Sequence, residues 1–231
     1  MIRTGTIALA WLVAGAATVR AQTETLDEGT YRVMVGGIEV GMETFTIRQN
    51  GSGADAVVIA KGRVVLEASK GGSQIQATVQ LSGQGLRPAA YEVEVRGADA
   101  QGIRATVRGS RVSARIMSSA GENQREYLVS DGAVLVDEGV AHQYYFLARR
   151  AGTGSISVPI VMPRQSRQVT ASVTFKGDEQ VTIAGRSVAA RHLTVQPQGS
   201  AAVEVWADSE GRILKVEIPS RQYVAIRTAL P

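Results

Sequence analysis

Cysteine is absent from the 231-residue chain, and histidine occurs only as His142 and His192. Without cysteine the protein has no disulfide, no thiol nucleophile, no cysteine metal site and no lipid-modified N-terminal cysteine. The sequence also lacks a G-x-S-x-G elbow, a P-loop, an H-E-x-x-H motif and a dinucleotide-binding glycine pattern. These absences predict a protein that is not an enzyme and that needs neither a metal nor a cofactor.

Long apolar runs are missing after the first 21 residues, so no later segment approaches the ~20 apolar residues of a transmembrane helix. The N-terminus has Arg3, an apolar stretch over 7–19 and small residues at positions 19 and 21. This order is typical of a secretory signal peptide. We expect cleavage after Ala21, rather than an uncleaved amphipathic anchor, and a single domain over 22–231.

The sequence also has no large excess of positive or negative charge. Removing Arg3 and Arg20 with the signal peptide lowers the net charge from +4 to about +2, which is not the balance of a nucleic-acid-binding protein. The expected product is a periplasmic or secreted protein with no nucleic-acid partner and no stable membrane anchor.

Alternation of apolar and polar residues dominates the chain from residue 30 onward. Tyr31, Val33 and Val35 form one face of a strand, and the pair Gly36-Gly37 fits a two-residue hairpin turn. Further strands are predicted over 38–49, 56–69, 73–82, 89–97, 102–108, 111–118, 124–130, 133–137, 155–161, 168–175, 179–184, 187–196, 201–208, 211–218 and 221–228. Their connections are too short for parallel crossovers, so the fold class is all-β, with a curved antiparallel sheet or half-barrel.

One segment departs from this alternation. Over 139–151 the apolar residues recur with helical spacing, and Gly152 follows as a stop signal. The face consists of Val140, Tyr144, Leu147, Ala148 and Ala151. The sequence therefore predicts one short helix, packed against the concave side of the sheet.

Candidate polar sites have simpler explanations. Glu138 and His142 are four residues apart and could hold a metal on one helix face, but Asp137 and Glu138 also suit the start of a helix. We favour helix capping and predict no metal site. His192 lies within a predicted strand, where we expect a solvated or rim residue.

Glu92 and Glu94 share one strand face, as a glycosidase pair would. The same spacing is typical of a solvated face, and nearby arginines favour cross-strand salt bridges instead. These arginines are Arg96, Arg104, Arg108, Arg111 and Arg115.

The C-terminal strands carry large apolar groups on both faces. Val203 and Val205 alternate with Trp206, the single tryptophan that remains after signal cleavage. An open sheet with one wet face would not show this pattern, so the second face must be covered by the helix, by sheet curvature or by a ligand. The scarcity of aromatic residues argues against a carbohydrate-binding face.

Two motifs carry a family resemblance. They are Tyr31-x-Val33-x-Val35-Gly36-Gly37-Ile38-x-Val40-Gly41 and Val205-Trp206-Ala207-Asp208-x-x-Gly211-Arg212-x-Leu214-Lys215-Val216. They resemble a group of bacterial exported proteins that is similar to the periplasmic lipoprotein carriers. The resemblance implies a half-barrel lined with apolar residues, although the carriers have more helices than the one predicted here.

The leading interpretation is a soluble periplasmic binding or carrier protein for an apolar ligand, such as a lipid or an acylated protein. Its candidate ligand-binding residues are Trp206, Tyr223, Phe45, Tyr144 and Leu147. The alternative is a structural or interaction protein of the cell envelope, with a filled core and no ligand. A third hypothesis is a hydrolase that uses carboxylates outside known motifs.

Overall fold

The computed structural model describes residues 23–67, 72–97, 99–130 and 132–231. The predicted signal peptide and its cleavage site lie outside these residues, so they stay predictions. In the described part of the chain no helix has both the length and the apolarity needed to cross a membrane.

Within the described residues, fifteen strands form one curved, unclosed sheet. Their bounds are β1 Thr23–Val35, β2 Ile38–Asn50, β3 Val57–Leu66, β4 Gln74–Ser82, β5 Arg87–Arg96, β6 Gln101–Arg108, β7 Arg111–Ser118, β8 Gly121–Leu128, β9 Val134–Leu135, β10 Ser155–Met162, β11 Arg167–Ile183, β12 Arg186–Pro197, β13 Val203–Ala207, β14 Ile213–Ile218 and β15 Tyr223–Arg227. The predicted all-β fold class is confirmed.

The strands are arranged as two meanders joined at their ends. Strands β1 to β8 follow one another across the sheet, and β15 to β9 continue from the other side of β1. The join is the antiparallel pairing of β1 with β15, in which Tyr31 is opposite Arg227. All neighbouring pairs are antiparallel except β9 with β10, which run parallel. Strands β8 and β9 are therefore the two edges.

The predicted hairpin at Gly36-Gly37 is confirmed, and both glycines have positive φ. The residues over 83–86 form the turn of the β4–β5 hairpin. The two strands predicted over 168–175 and 179–184 are one strand, β11, with a register shift between Phe175 and Gly177.

The interior of the curved sheet contains the chain between β8 and β10. This stretch includes β9, a 3-10 helix over Ala141–Tyr144 and the helix α1, Tyr145–Ala151. Phe146 and Ala148 are fully buried there. The predicted helix is thus confirmed in place and in its buried face, but its first turn is 3-10 rather than α. Further 3-10 turns occupy Gly53–Asp55, Pro163–Gln165 and Pro219–Arg221.

A second, smaller apolar cluster lies on the other face of the C-terminal strands. Trp206 and Leu214 come from β13 and β14, where they alternate with residues of the main core. Val181, Ile183 and Ala190, from the far half of the β11–β12 hairpin, complete the cluster. Both faces of the C-terminal strands are therefore covered by the chain itself, one by the helical segment and the other by this hairpin.

Candidate functional site

The centre of the interior holds a buried carboxylate–imidazole pair. Glu43 on β2 and His142 in the 3-10 helix are both fully buried, with 2.6 Å between Glu43 Oε1 and His142 Nδ1. The same carboxylate accepts the backbone N–H of Ala141 at 2.7 Å and that of His142 at 3.0 Å. Glu43 therefore satisfies the free amides at the start of the helical segment, which a capping side chain would otherwise bind.

Neighbouring residues fix the imidazole ring of His142. Phe45 stacks on it with ring centroids 5.7 Å apart. On β3, Gly62 has no side chain where the ring lies, and a Cβ atom at this glycine would be 2.5 Å from His142 Nδ1. The other ring nitrogen, Nε2, is buried without a hydrogen-bond partner. Because the ring is closed off from solvent, the pair can anchor the helical segment but cannot meet a substrate from solution.

A second carboxylate anchors the chain just before the helical segment. Asp137 is fully buried and accepts hydrogen bonds from the hydroxyl of Tyr91 and from the backbone N–H of Arg164, the latter at 3.1 Å. Its own N–H donates to Gln143 Oε1 at 2.7 Å. Burial raises the pKa of Asp137 from 3.8 to about 6, although Tyr91 and Arg164 act in the opposite direction.

These contacts correct the expected helix start. Neither Asp137 nor Glu138 caps the segment, because Glu43 has that role. Glu138 instead forms an ion pair with Arg221, at 2.6 Å between Oε2 and NH1. Glu138 and His142 are thus bound to different partners, Arg221 and Glu43, and do not share one face of a helix as a pair of metal ligands would.

A second buried charge pair lies where the two meanders join. Asp27 forms an ion pair with Arg227, whose guanidinium lies over the rings of Tyr31 and Phe45 at 5.7 and 5.2 Å. The hydroxyl of Tyr31 and Nε of Arg227 both donate to the carbonyl of Ile213. Burial raises the pKa of Asp27, while Arg227 lowers it. This network ties β1, β14 and β15 together.

An open cavity of about 270 Å³ lies where two hairpin turns meet α1, and we call it the helix–turn pocket. Its lining residues are Leu26, Gln49, Gly53, Ala56, Gly83, Gln84, Leu86, Tyr145 and Arg149. Arg149 donates to the hydroxyl of Tyr145 at 2.6 Å, and its guanidinium lies 5.4 Å from the centre of that ring. The pocket therefore combines apolar walls with one cation.

On the opposite face of the sheet, His192 stacks on Trp206 with ring centroids 4.5 Å apart. Its Nδ1 lies 2.7 Å from Glu179 Oε1, and its Nε2 lies 2.8 Å from Glu204 Oε2. The indole N–H donates to Glu179, and the Lys215 ammonium lies 4.3 Å from the indole centroid. His192 is partly buried, as expected for a residue at the rim of an apolar cluster, and both of its ring nitrogens are bound by carboxylates.

The five predicted ligand-binding residues do not form one site. Phe45, Tyr144 and Leu147 are buried in the main core, and Tyr223 packs against it. Trp206 lies in the separate cluster on the other face. Trp206 therefore does not line a common cavity with Tyr223 and Phe45.

Three of the five surface arginines form the expected cross-strand ion pairs, whereas Arg96 pairs within its own strand. Arg104 binds Glu92 across the strands at 2.9 Å, and Arg96 binds Glu94 at 2.8 Å. Two further pairs connect β7 with β8, between Arg111 and Glu126 and between Arg115 and Glu122. The carboxylates of Glu92 and Glu94 are thus both engaged by arginine.

Comparison with known proteins supports the fold alone. No family model matches the chain, and no curated protein matches it. The chain is similar to the crystal structure of a β-barrel-like protein of the domain of unknown function DUF1849 from Brucella abortus, with 10% identity over 86% of this chain and 93% of that chain and a TM-score of 0.51. A DUF1089 family protein from Pseudomonas aeruginosa aligns with 94% of this chain and 98% of its own, at 10% identity and a TM-score of 0.43.

The first of these similarities bears out a β-barrel-like architecture of uncharacterised type. The second is too weak a match to carry an argument. The first similarity does not support the finer resemblance to the lipoprotein carriers, and a binding or carrier role is compatible with the fold without following from it.

Proposed function

We propose that the chain is a non-catalytic interaction protein of the bacterial cell envelope, in which a filled, barrel-like sheet acts as a scaffold rather than as a container. The observation that carries this proposal is the packing of the helical segment inside the sheet. Tyr144, Phe146 and Leu147 occupy the space that a lipid would need, and all three are buried.

The outer hairpin supports the same proposal. The sequence argument for a ligand was that the C-terminal strands are apolar on both faces. Because Val181 and Ile183 of the β11–β12 hairpin join the cluster around Trp206 and Leu214, the second face needs no ligand to cover it. A protein with a filled core and no ligand therefore accounts for the apolar residues on both faces of the C-terminal strands.

Buried polar anchors also favour a permanently filled interior. Glu43 and Asp137 each bind the helical segment or the chain before it through several hydrogen bonds. Moving the segment aside to admit a ligand would leave both carboxylates without these partners, and an unpaired buried charge is strongly unfavourable.

Native mass spectrometry of protein purified from its own envelope tests this proposal. We expect the mass of the polypeptide with no phospholipid bound. A matched control is Phe146→Ala, which removes a fully buried ring and should open an apolar cavity that accepts benzene. The expected result is benzene binding by the variant and none by the wild type. A stoichiometric phospholipid on the wild-type protein would overturn the filled-core proposal, because its two long chains need more space than the helix–turn pocket offers.

One observation favours a second candidate, a carrier for an apolar ligand. The helix–turn pocket is open and partly apolar, so a small amphiphile could bind there without displacing the core. This role would use the edge of the interior rather than a cavity within it.

A further inference from the structure

We infer that the helix–turn pocket binds a medium-chain fatty acid, with Arg149 holding the carboxylate and Leu26, Leu86 and Tyr145 in contact with the chain. This inference deepens the second candidate function and does not require the interior to be empty.

The helix–turn pocket contains a cation that no carboxylate in the described part of the chain neutralises. Arg149 is exposed and forms no ion pair with any carboxylate of the described residues. The carboxylates of Asp27 and Asp208, the acidic residues that act on the neighbouring Tyr145, are already paired with Arg227 and Arg212 respectively. An anionic group entering the pocket would therefore find its partner free.

Contacts with Tyr145 and Gly211 hold the side chain of Arg149 in place. Its NH1 group donates to the Tyr145 hydroxyl at 2.6 Å, and its side chain passes over Gly211, where a Cβ atom would lie 2.6 Å from Arg149 Cγ. A guanidinium has five N–H donors in a planar fork that matches a carboxylate. With the arginine positioned by Tyr145 and Gly211, the remaining donors are available for a ligand at a reduced entropic cost.

The size and lining of the pocket match a single acyl chain. Leu26 and Leu86 are only partly buried and pack against the edge of the main core. The volume of about 270 Å³ lies just below the range of roughly 300–1,000 Å³ that is typical of sites for drug-sized ligands. It suits one short acyl chain and excludes a phospholipid with two long chains.

Titration calorimetry of the purified protein with n-octanoate tests the inference. We expect one octanoate per chain, with 1-octanol and acetate each binding at least about tenfold more weakly. 1-Octanol keeps the chain without the charge, and acetate keeps the charge without the chain. Equal binding of octanoate and 1-octanol, or no binding of octanoate, would overturn the inference while leaving the filled-core scaffold untouched.

Two variants locate the site. Arg149→Gln should weaken octanoate binding by about tenfold or more, because a charge-assisted bidentate contact is lost. Gln84→Glu, at an exposed lining position, should weaken it through repulsion without removing any contact of the fold. The matched control is Arg125→Gln, an exposed arginine on β8 outside the pocket, which should bind octanoate as the wild type does. Unchanged affinity in both pocket variants would refute the assignment.

Discussion

Glu43 on β2 binds His142 and the amides that begin the helical segment, although the two residues are 99 positions apart in the chain. One carboxylate thereby links an early strand of the sheet to the segment that fills its interior. The same contact joins distant parts of the chain and binds the free amides at the start of the helical segment. Its loss should therefore destabilise the whole fold.

We predict that Glu43→Ala lowers the free energy of unfolding by about 3 kcal/mol or more, because it leaves buried amides and an imidazole without their acceptor. Urea denaturation followed by circular dichroism measures the change. Glu92→Ala is the control, since its ion pair with Arg104 is exposed and should contribute less than about 1 kcal/mol. Similar losses in the two variants would contradict the central role of Glu43.

The space at Gly62 gives a second prediction. Gly62→Ala places a methyl group against the His142 ring, and overpacking of this kind typically costs about 1–3 kcal/mol. The control is Gly102→Ala, in another strand, where the nearest atom is Met117 Cε at 3.4 Å. We expect the melting temperature to fall in the first variant and to change little in the second. Equal melting temperatures would show that His142 can move away from β3.

Sequence reasoning reached the strands and the helix because local patterns specify them. Alternation and paired glycines define the β1–β2 hairpin, and helical spacing places Leu147 on a buried face. The anchors were missed because each depends on a contact between distant segments. A signal was nevertheless present: Glu43 is in phase with the buried Phe45 and Ile47, and a charged residue on the buried face of a strand indicates a partner.

Trp206 shows the opposite limit. The alternation correctly predicts that Trp206 lies on the face opposite Val203 and Val205. It does not predict which residues pack against Trp206 on that face. The cover comes from the far half of the β11–β12 hairpin, beyond the register shift near Gly177. No local pattern states where a long hairpin will pack, so the apolar face was open to interpretation as a ligand site.

Docking of the helix can be measured at Leu147. Leu147→Asp should lower the free energy of unfolding by about 2 kcal/mol or more, because the new carboxylate would be buried without a partner. Leu128→Asp is a matched control, since Leu128 is 68% exposed on the edge strand β8, and we expect a change within about 0.5 kcal/mol. An unchanged midpoint of chemical denaturation for Leu147→Asp would show that α1 is not docked.

Export is a prediction of the sequence that can be tested directly. If the first 21 residues are a signal peptide, N-terminal sequencing of the protein recovered from the envelope should begin at Gln22. The processed chain would then contain Trp206 as its single tryptophan. A sequence beginning at Met1 would contradict export by this route.

Burial of Asp137 predicts an unusual dependence of stability on pH. Its pKa is raised from 3.8 to about 6 in the folded chain, so the folded state binds a proton more tightly than the unfolded state does. The resulting stabilisation is fully present below pH ~4, declines as the pH rises towards 6 and is absent above it. Between pH 7 and pH 5 this group should therefore add about 1 kcal/mol to the free energy of unfolding.

Asp137→Asn removes the titration while keeping the shape of the side chain, so it isolates this contribution from that of Asp27, whose pKa is also raised. Urea denaturation of both proteins at pH 5, 6 and 7 gives the difference in unfolding free energy at each pH. The wild type should gain stability relative to the variant as the pH falls, because the Asp137 carboxyl group takes up a proton on folding and the amide in the variant does not titrate. A difference that stays constant, or that grows with rising pH, would mean that the Asp137 carboxylate is better stabilised by Tyr91 and the Arg164 amide than its burial suggests.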